Sequence, residues 1–246
     1  MRALLVRIGA DKTFGGWNAP VDPATGEFVY VPIPESLDAQ MQPGLGRRMA
    51  EVLPALEAFC GRQGLGLRDE LRWPAGLDEL YAHLDPDFDA LTYGDQGARR
   101  GARLRDLGAG DWVVFYAGLR PTTACEHQLI YALVGLYVID EVVPLPTVPA
   151  ARWGENAHTR KAVHGATDLI VRARPGVSGR LERCLPIGEF RTGAYRVRRD
   201  LLEVWGGLSV KDGYIQRSAV PPLFLAPERF AAWFARQDVT LVARNW

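Results

Sequence analysis

The stretch AHLDPDFDALTYGD, residues 82–95, places one histidine and four carboxylates in a short segment. Three of the carboxylates are spaced two residues apart, like the first oxygen ligands of a calcium-binding loop: Asp85, Asp87 and Asp89. Such a loop also needs a glycine at its sixth position and a glutamate at its twelfth, where this sequence has Ala90 and Gln96. We therefore expect no metal at these aspartates. A calcium-binding protein or metal-dependent nuclease built on them is the third of three functional hypotheses.

The alternative interpretation of the same stretch is a bent connection between elements. Phe88 and Leu91 would point inward, and the charges would mostly face water. If the stretch has a chemical role, we expect it from His83 or Asp95 facing a shared pocket. Tyr93 and Asp95 are therefore candidate ligand-binding residues.

The loop DKTFGGWNAP, residues 11–20, directly follows the first predicted strand and contains two glycines that can bring backbone close to a ligand. Neither P-loop spacing nor a GxGxxG motif is present. The loop offers an acid as a catalytic candidate, and a cation, a hydroxyl, an indole and an amide as ligand-binding candidates: Asp11, Lys12, Thr13, Trp17 and Asn18. The alternative is a turn-rich connection with the indole packed on the core, and both interpretations stay open.

The stretch ENAHTRKAVHG, residues 155–165, supplies the other catalytic candidates, His158 and Arg160. A histidine suits general acid or base chemistry, and an arginine suits a phosphate or carboxylate clamp. If the stretch is helical, the two side chains diverge onto different faces. The alternative is a histidine with a purely structural role.

Formal charges cancel over the 246 residues, yet they are unevenly distributed. Residues 1–95 carry 8 basic and 15 acidic groups, whereas residues 160–217 carry 12 basic and 6 acidic groups. The basic segment interleaves arginine with Tyr195 and Tyr214, a composition that suits phosphate contacts and base stacking. From it we take as ligand-binding candidates Arg180, Gln216 and Arg217. The alternative is an ion-pair layer between the basic segment and the acidic first third.

Composition also sets limits on location and cofactors. The N-terminus lacks the features of a signal peptide and no apolar stretch is long enough to span a membrane, so we expect a cytoplasmic protein with no membrane partner. The three cysteines are isolated, and we expect them to be reduced and packed. The sequence identifies no cofactor and does not determine the oligomeric state.

The elements that must position these residues are predicted from hydrophobic patterning. Two long strands that pair with each other are expected at 112–116 and 129–145, with a bulge or close approach at Gly135. Further strands are expected at 3–10, 27–35, 168–175 and 238–246, and helices at 53–64, 76–84 and 227–237. This pattern predicts one α+β domain over residues 1–246, with a mixed β-sheet or a PUA-like β-barrel core and peripheral helices.

The segments GDWVVFYAG (110–118) and YALVGLYVIDEV (131–142) resemble the central strands of PUA-like barrels, the group that includes EVE, ASCH and YTH domains. These barrels bind RNA or DNA, often at a modified base, in a pocket lined by aromatic residues beside these strands. The resemblance implies that Tyr116 is a ligand-binding residue.

A second resemblance covers most of the chain. RIGADKTFGGWNAPVDPATGEFVYVPIPE, HLDPDFDALTYGD, GDWVVFYAGL, NAHTRKA and GYIQRS are similar in order and spacing to the nucleotide modification associated domain 3 family. This resemblance implies a partner that is a nucleotide or a nucleic acid, without supplying a reaction. Our leading hypothesis is a protein that binds a nucleotide or modified base in DNA modification. The alternative is a nucleotide-modifying enzyme, by group transfer or hydrolysis, that uses Asp11, His158 and Arg160.

Overall fold

The computed structural model describes residues 1–12, 15–98, 101–217 and 220–246. Its strands are β1 (Ala3–Arg7), β2 (Pro20–Val21), β3 (Ile33–Pro34), β4 (Ala82–His83), β5 (Thr92–Gln96), β6 (Trp112–Pro121), β7 (Ile130–Pro144), β8 (Asp168–Ala173), β9 (Gly179–Pro186), β10 (Gly188–Arg191), β11 (Ala194–Val197) and β12 (Leu241–Val242). Its α-helices are α1 (Leu53–Gln63), α2 (Ala102–Arg105), α3 (Arg199–Trp205) and α4 (Pro227–Phe234).

The main sheet runs in the order β1-β6-β7-β8-β5. Strand β1 is parallel to β6, the other pairs along this path are antiparallel, and β9 pairs with both β7 and β12. The prediction of an α+β fold with a mixed sheet is confirmed. The barrel alternative is wrong, because the strands of the described residues do not close into a barrel.

The predicted pairing of the two long strands is confirmed. Strands β6 and β7 are antiparallel from Trp112 opposite Val138 to Leu119 opposite Ile130. The expected close approach at Gly135 is also present, because a Cβ there would lie 2.7 Å from Phe88 Cε1. Phe88 is fully buried, as predicted, and its ring lies 5.8 Å from that of Phe115. The bent stretch after β4 is thereby anchored on the sheet.

The predicted helix over residues 76–84 is wrong. The chain makes a single 3-10 turn at Leu77–Glu79 and then extends into β4. The Ala82 N–H donates to the Arg47 carbonyl at 2.8 Å, and the Glu35 N–H donates to the Tyr81 carbonyl at 2.8 Å. Backbone partners on both sides therefore hold this segment extended, and His83 lies on β4 opposite Ile33 of β3.

The other predicted helices are confirmed. Helix α1 has a proline in its first turn and ends at Gly64, whose φ of 65° is left-handed and suits glycine. Helix α4 begins at Pro227. The predicted strand over residues 238–246 is reduced to the two residues of β12, and that over 27–35 to the two residues of β3.

The cysteines are free, and only part of the expectation about them holds. Cys60 and Cys184 are buried, whereas Cys125 is exposed. Burial raises the pKa of the Cys184 thiol to about 12. Among the described helices, none combines the length and the apolar character that crossing a membrane requires.

Candidate functional site

A cleft of about 900 Å³ opens beside the end of β1, and segments far apart in the sequence contribute to its walls. Its volume is typical of a pocket for a small molecule. The charged and aromatic side chains that line it are Arg7, Asp11, His83, Asp85, Tyr93, Asp95, Tyr116, His158, Lys161 and Arg217.

Two histidines and one aspartate converge in this cleft, and we call them the His–Asp–His cluster: His83, Asp85 and His158. The Nε2 atoms of His83 and His158 lie 3.9 and 3.6 Å from Asp85 Oδ2. One ligand atom from each residue lies within 4.8 Å of the others. The side chains are 18%, 6% and 13% exposed, so the cluster is mostly buried but reachable from the cleft.

Asp85 is oriented by two donors on one carboxylate oxygen. Its Oδ1 accepts from the Gly94 N–H at 2.6 Å and from Asn156 Nδ2 at 2.9 Å. Because Oδ1 is engaged, Oδ2 is the oxygen that faces the two histidines. Gly94 also leaves the space that the cluster needs, since a Cβ there would lie 2.6 Å from His158 Cδ2.

His83 is oriented from its other side by Glu35, which directly follows β3. Their Nδ1 and Oε1 atoms lie 2.6 Å apart, and Lys161 Nζ lies 3.0 Å from Glu35 Oε2. Burial raises the pKa of Glu35, but the hydrogen bonds and charges of His83 and Lys161 outweigh it, and the pKa falls to about 2. Glu35 is therefore an ionised acceptor, which places the shared proton on Nδ1 of His83 and leaves Nε2 facing Asp85.

His158 is positioned by a turn over residues 156–160. The His158 N–H donates to Asn156 Oδ1 at 2.9 Å, and Asn156 is completely buried. Burial lowers the pKa of His158, but the hydrogen bond and negative charge of Asp85 act against burial, and the pKa is raised overall. The turn therefore holds the imidazole next to the Asp85 carboxylate.

Two buried tyrosines fix the backbone that follows Asp85. Tyr30 Oη donates to the Pro86 carbonyl and Tyr137 Oη donates to the Asp87 carbonyl, each at 2.9 Å. Burial raises the pKa of both phenols well above its usual range, so they stay neutral donors. The segment that carries Asp85 is thus tied to the core.

Among the described residues, three cations line the cleft. Arg7 Nη2 lies 2.7 Å from Asp11 Oδ2, and Lys161 is held by Glu35. Arg217 is exposed, which leaves its guanidinium accessible to a ligand. The cleft therefore combines the cluster with positive charge that suits phosphate.

The family model described as nucleotide modification associated domain 3 matches residues 2–205 of the chain. The chain belongs to this family. Glu35, Lys161 and the whole His–Asp–His cluster lie inside the matched range, whereas Arg217 lies beyond it. Comparison with curated proteins and with solved structures gave no significant match.

In this nucleotide modification associated domain, two of the three catalytic candidates from the sequence share the cleft. Asp11 and His158 both line it. Arg160 lies elsewhere, because its guanidinium is buried against Asp87 and the Gly154 carbonyl. The predicted divergence of His158 and Arg160 is therefore present, although residues 156–160 form a turn and not a helix.

Three ligand-binding candidates of the first loop lie outside the cleft lining: Lys12, Trp17 and Asn18. Trp17 Nε1 donates to the Leu71 carbonyl at 2.7 Å, and Asn18 Nδ2 donates to the Gly118 carbonyl at 2.7 Å. Both residues are buried, which matches the structural alternative for this loop. Lys12 is exposed, and Thr13 lies outside the described residues.

The remaining candidates divide between the cleft and other places. The cleft lining includes Tyr93, Asp95, Tyr116 and Arg217. Gln216 Oε1 instead accepts from the Tyr195 N–H at 2.9 Å. Arg180 is buried and donates to the carbonyls of Leu181 and Arg244, and burial together with the charge of Arg244 lowers its pKa to about 10.

Some arginines of the basic segment form ion pairs with acids of the same segment, and Arg172 pairs with Glu141 and Glu155, which precede it. The ion pairs Arg191 with Asp212 and Arg198 with Asp200 have N–O distances of 2.6 Å. Pairing with the acidic first third occurs at Arg160, through Asp87. Because these arginines are engaged in ion pairs, the basic segment offers fewer of them to a nucleic acid than its charge count indicates.

Sequence reasoning missed several residues around the cluster. Arg7, Glu35 and Lys161 are not among the sequence candidates, and the sequence interpretation places Asp85 in a bent connection or, alternatively, in a calcium-like loop. The available signal was the spacing of His83 and Asp85, since residues two apart on an extended chain project to the same side.

Proposed function

We propose that the chain is a nucleotide-modifying enzyme that binds a nucleotide, free or extruded from a nucleic acid, in the cleft and performs hydrolysis or group transfer at the His–Asp–His cluster. The observation that carries the proposal is the convergence of His83, Asp85 and His158 in one cleft of a nucleotide modification associated domain. A cluster of this kind can bind and activate a water or hydroxyl group.

Charge and size support a nucleotide as the ligand. A cleft of about 900 Å³ can hold one nucleotide but not a length of duplex. Arg217 is exposed at the cleft and suits a phosphate contact. Lys161 is only partly neutralised by Glu35, because that carboxylate also accepts a hydrogen bond from His83. We expect phosphate to lie toward these cations, with the reacting group near the cluster.

A second candidate function is a reader that binds a modified base without changing it. Aromatic residues in the cleft favour that function, because bases stack on exposed rings. Tyr93 and Tyr116 do line the cleft, yet they are only 6% and 0% exposed. They offer little ring surface for stacking, so we favour the enzyme.

A cytoplasmic location stays a prediction.

The test is a screen of the full chain against ribonucleoside and deoxyribonucleoside monophosphates and triphosphates, and against single-stranded and duplex DNA. Binding is followed by calorimetry and products by mass spectrometry. The proposal expects at least one nucleotide to be altered, and Arg217→Ala to weaken its binding about tenfold, as expected for one lost charge-assisted contact.

Arg198→Ala is the matched control, because Arg198 is also partly exposed but pairs with Asp200 and does not line the cleft. It should leave binding unchanged. Binding without any product would support the reader. Absence of both binding and product would contradict the proposed function in either form.

A further inference from the structure

We propose that His83, Asp85 and His158 form a binding site for a divalent first-row transition-metal ion of the zinc or iron(II) class. The inference deepens the proposed function by giving the cluster a metal, and its use in nucleotide chemistry rests on that function. Metal binding itself is independent of it and can be measured alone. It also departs from the expectation, drawn from the sequence, that the chain holds no metal.

The separations within the cluster are close to those of a metal site. Two ligands about 2.1 Å from a tetrahedral ion lie about 3.4 Å apart. The two histidine Nε2 atoms lie 3.9 and 3.6 Å from Asp85 Oδ2. Both separations exceed the tetrahedral value by only a few tenths of an ångström, and one ligand atom from each of the three residues lies within 4.8 Å of the others.

The surroundings of the cluster supply an independent second argument. Glu35 accepts from Nδ1 of His83, and a carboxylate on the far nitrogen of a histidine is the usual outer partner of a metal-bound imidazole. On Asp85, the Gly94 N–H and Asn156 both engage Oδ1. These bonds direct His83 Nε2 and Asp85 Oδ2 toward the same point.

The ligand types select the class of metal. Imidazole nitrogens suit zinc, iron, copper and nickel, whereas calcium and magnesium prefer sites built from oxygen. The aspartates of the calcium-like loop do not form an oxygen site with Asp85. Asp87 is paired with Arg160, and Asp89 Oδ1 accepts from the Asn245 N–H at 2.9 Å. Three protein ligands leave coordination positions open toward the cleft for water or substrate.

The experiment uses the full chain after removal of metal by a chelator, titrated with zinc chloride and, separately, with cobalt chloride. Calorimetry gives affinity and stoichiometry, and visible absorption reports the cobalt coordination. We expect one equivalent of zinc, a cobalt band, and no comparable binding of calcium or magnesium. His83→Gln and His158→Gln should each weaken zinc binding by at least about 100-fold.

The matched control is the double variant His127→Gln/His164→Gln, because these two histidines are exposed and lie outside the cleft lining. It should bind zinc like the wild type. Equal zinc affinity in the control and in the cluster variants, or no stoichiometric binding by the wild type, would overturn the proposal.

A further measurement covers the case in which a cluster variant fails to fold. In the wild type, zinc should shift the side-chain nitrogen resonances of two histidines, which the double variant His127→Gln/His164→Gln retains, and leave the other two unchanged. Shifts of the exposed histidines alone would contradict the site. Zinc binding without any nucleotide binding would overturn the proposed function but leave the metal site intact.

Discussion

Glu35 Oε1 lies 2.6 Å from Nδ1 of His83, across the paired strands β3 and β4. Because the pKa of Glu35 is lowered to about 2, the carboxylate is ionised and acts as acceptor. The Nδ1–H of the imidazole is thereby directed at Glu35, and Nε2 faces Asp85. One hydrogen bond thus sets the chemical character of the His–Asp–His cluster.

The first prediction concerns this bond. Glu35→Ala should lower zinc affinity 10- to 100-fold, because the ring loses the partner that orients it. Glu35→Gln should cost less, since the amide oxygen still accepts from Nδ1. Calorimetric titration of both variants checks this. Equal losses in the two variants would show that charge, and not ring orientation, is what Glu35 provides.

A second prediction uses Gly94. Gly94→Ala would place a Cβ 2.6 Å from His158 Cδ2 and 2.8 Å from Asn156 Oδ1, so the imidazole must move. We expect loss of zinc binding and of nucleotide turnover, measured by calorimetry and mass spectrometry, in a protein that still folds.

Gly61→Ala is the matched control for that substitution. Gly61 lies in α1, and a Cβ there would meet nothing within 4 Å. Replacement of a helical glycine should stabilise the fold by about 1 kcal/mol and leave zinc binding unchanged. Full zinc binding by the Gly94 variant would show that the cluster is looser than described.

The third prediction separates Arg160 from the chemistry. Arg160 and Asp87 are 5% and 1% exposed and form a buried ion pair. Arg160→Met should cost about 3 to 5 kcal/mol of unfolding free energy, because it leaves the carboxylate without its cation. Denaturant unfolding of Arg160→Met, Asp87→Asn and the double variant should give a double-variant loss smaller than the sum. Additive losses would show that the two side chains are not coupled. A specific loss of turnover at full stability would restore Arg160 as a catalytic residue.

Four of the five strands in the path β1-β6-β7-β8-β5 could be predicted from the sequence because their signals are local: β1, β6, β7 and β8. Strand β5 was not predicted, because it lies in the stretch interpreted as a bent connection. The β-rich run of β6, the long apolar run of β7 and Gly135 are visible in the chain itself. The segment at 76–84 could not be predicted in the same way. Its apolar residues have the spacing of a helix, but backbone hydrogen bonds to Arg47 and Glu35, which are distant in sequence, hold it extended.

The candidate site was predicted only in part for a similar reason. His158 and Asp11 were found because each lies in a stretch with several polar groups. The link from His83 to His158 depends on β4 lying beside the 156–160 turn, a tertiary arrangement that spacing does not encode. The expectation that the charges of the bent connection mostly face water is wrong for Asp85, whose side chain is 6% exposed and lies next to two histidines.

The central claim is that Asp85 and the two histidines act on a nucleotide bound in the cleft. The most direct measurement is mass spectrometry of the nucleotide panel after incubation with wild type and with Asp85→Asn, each in the same concentration of zinc or iron(II). We expect product with the wild type, at least about 100-fold slower formation with the variant, and similar nucleotide affinity in both. Product formed equally by both proteins, or by neither, would contradict it.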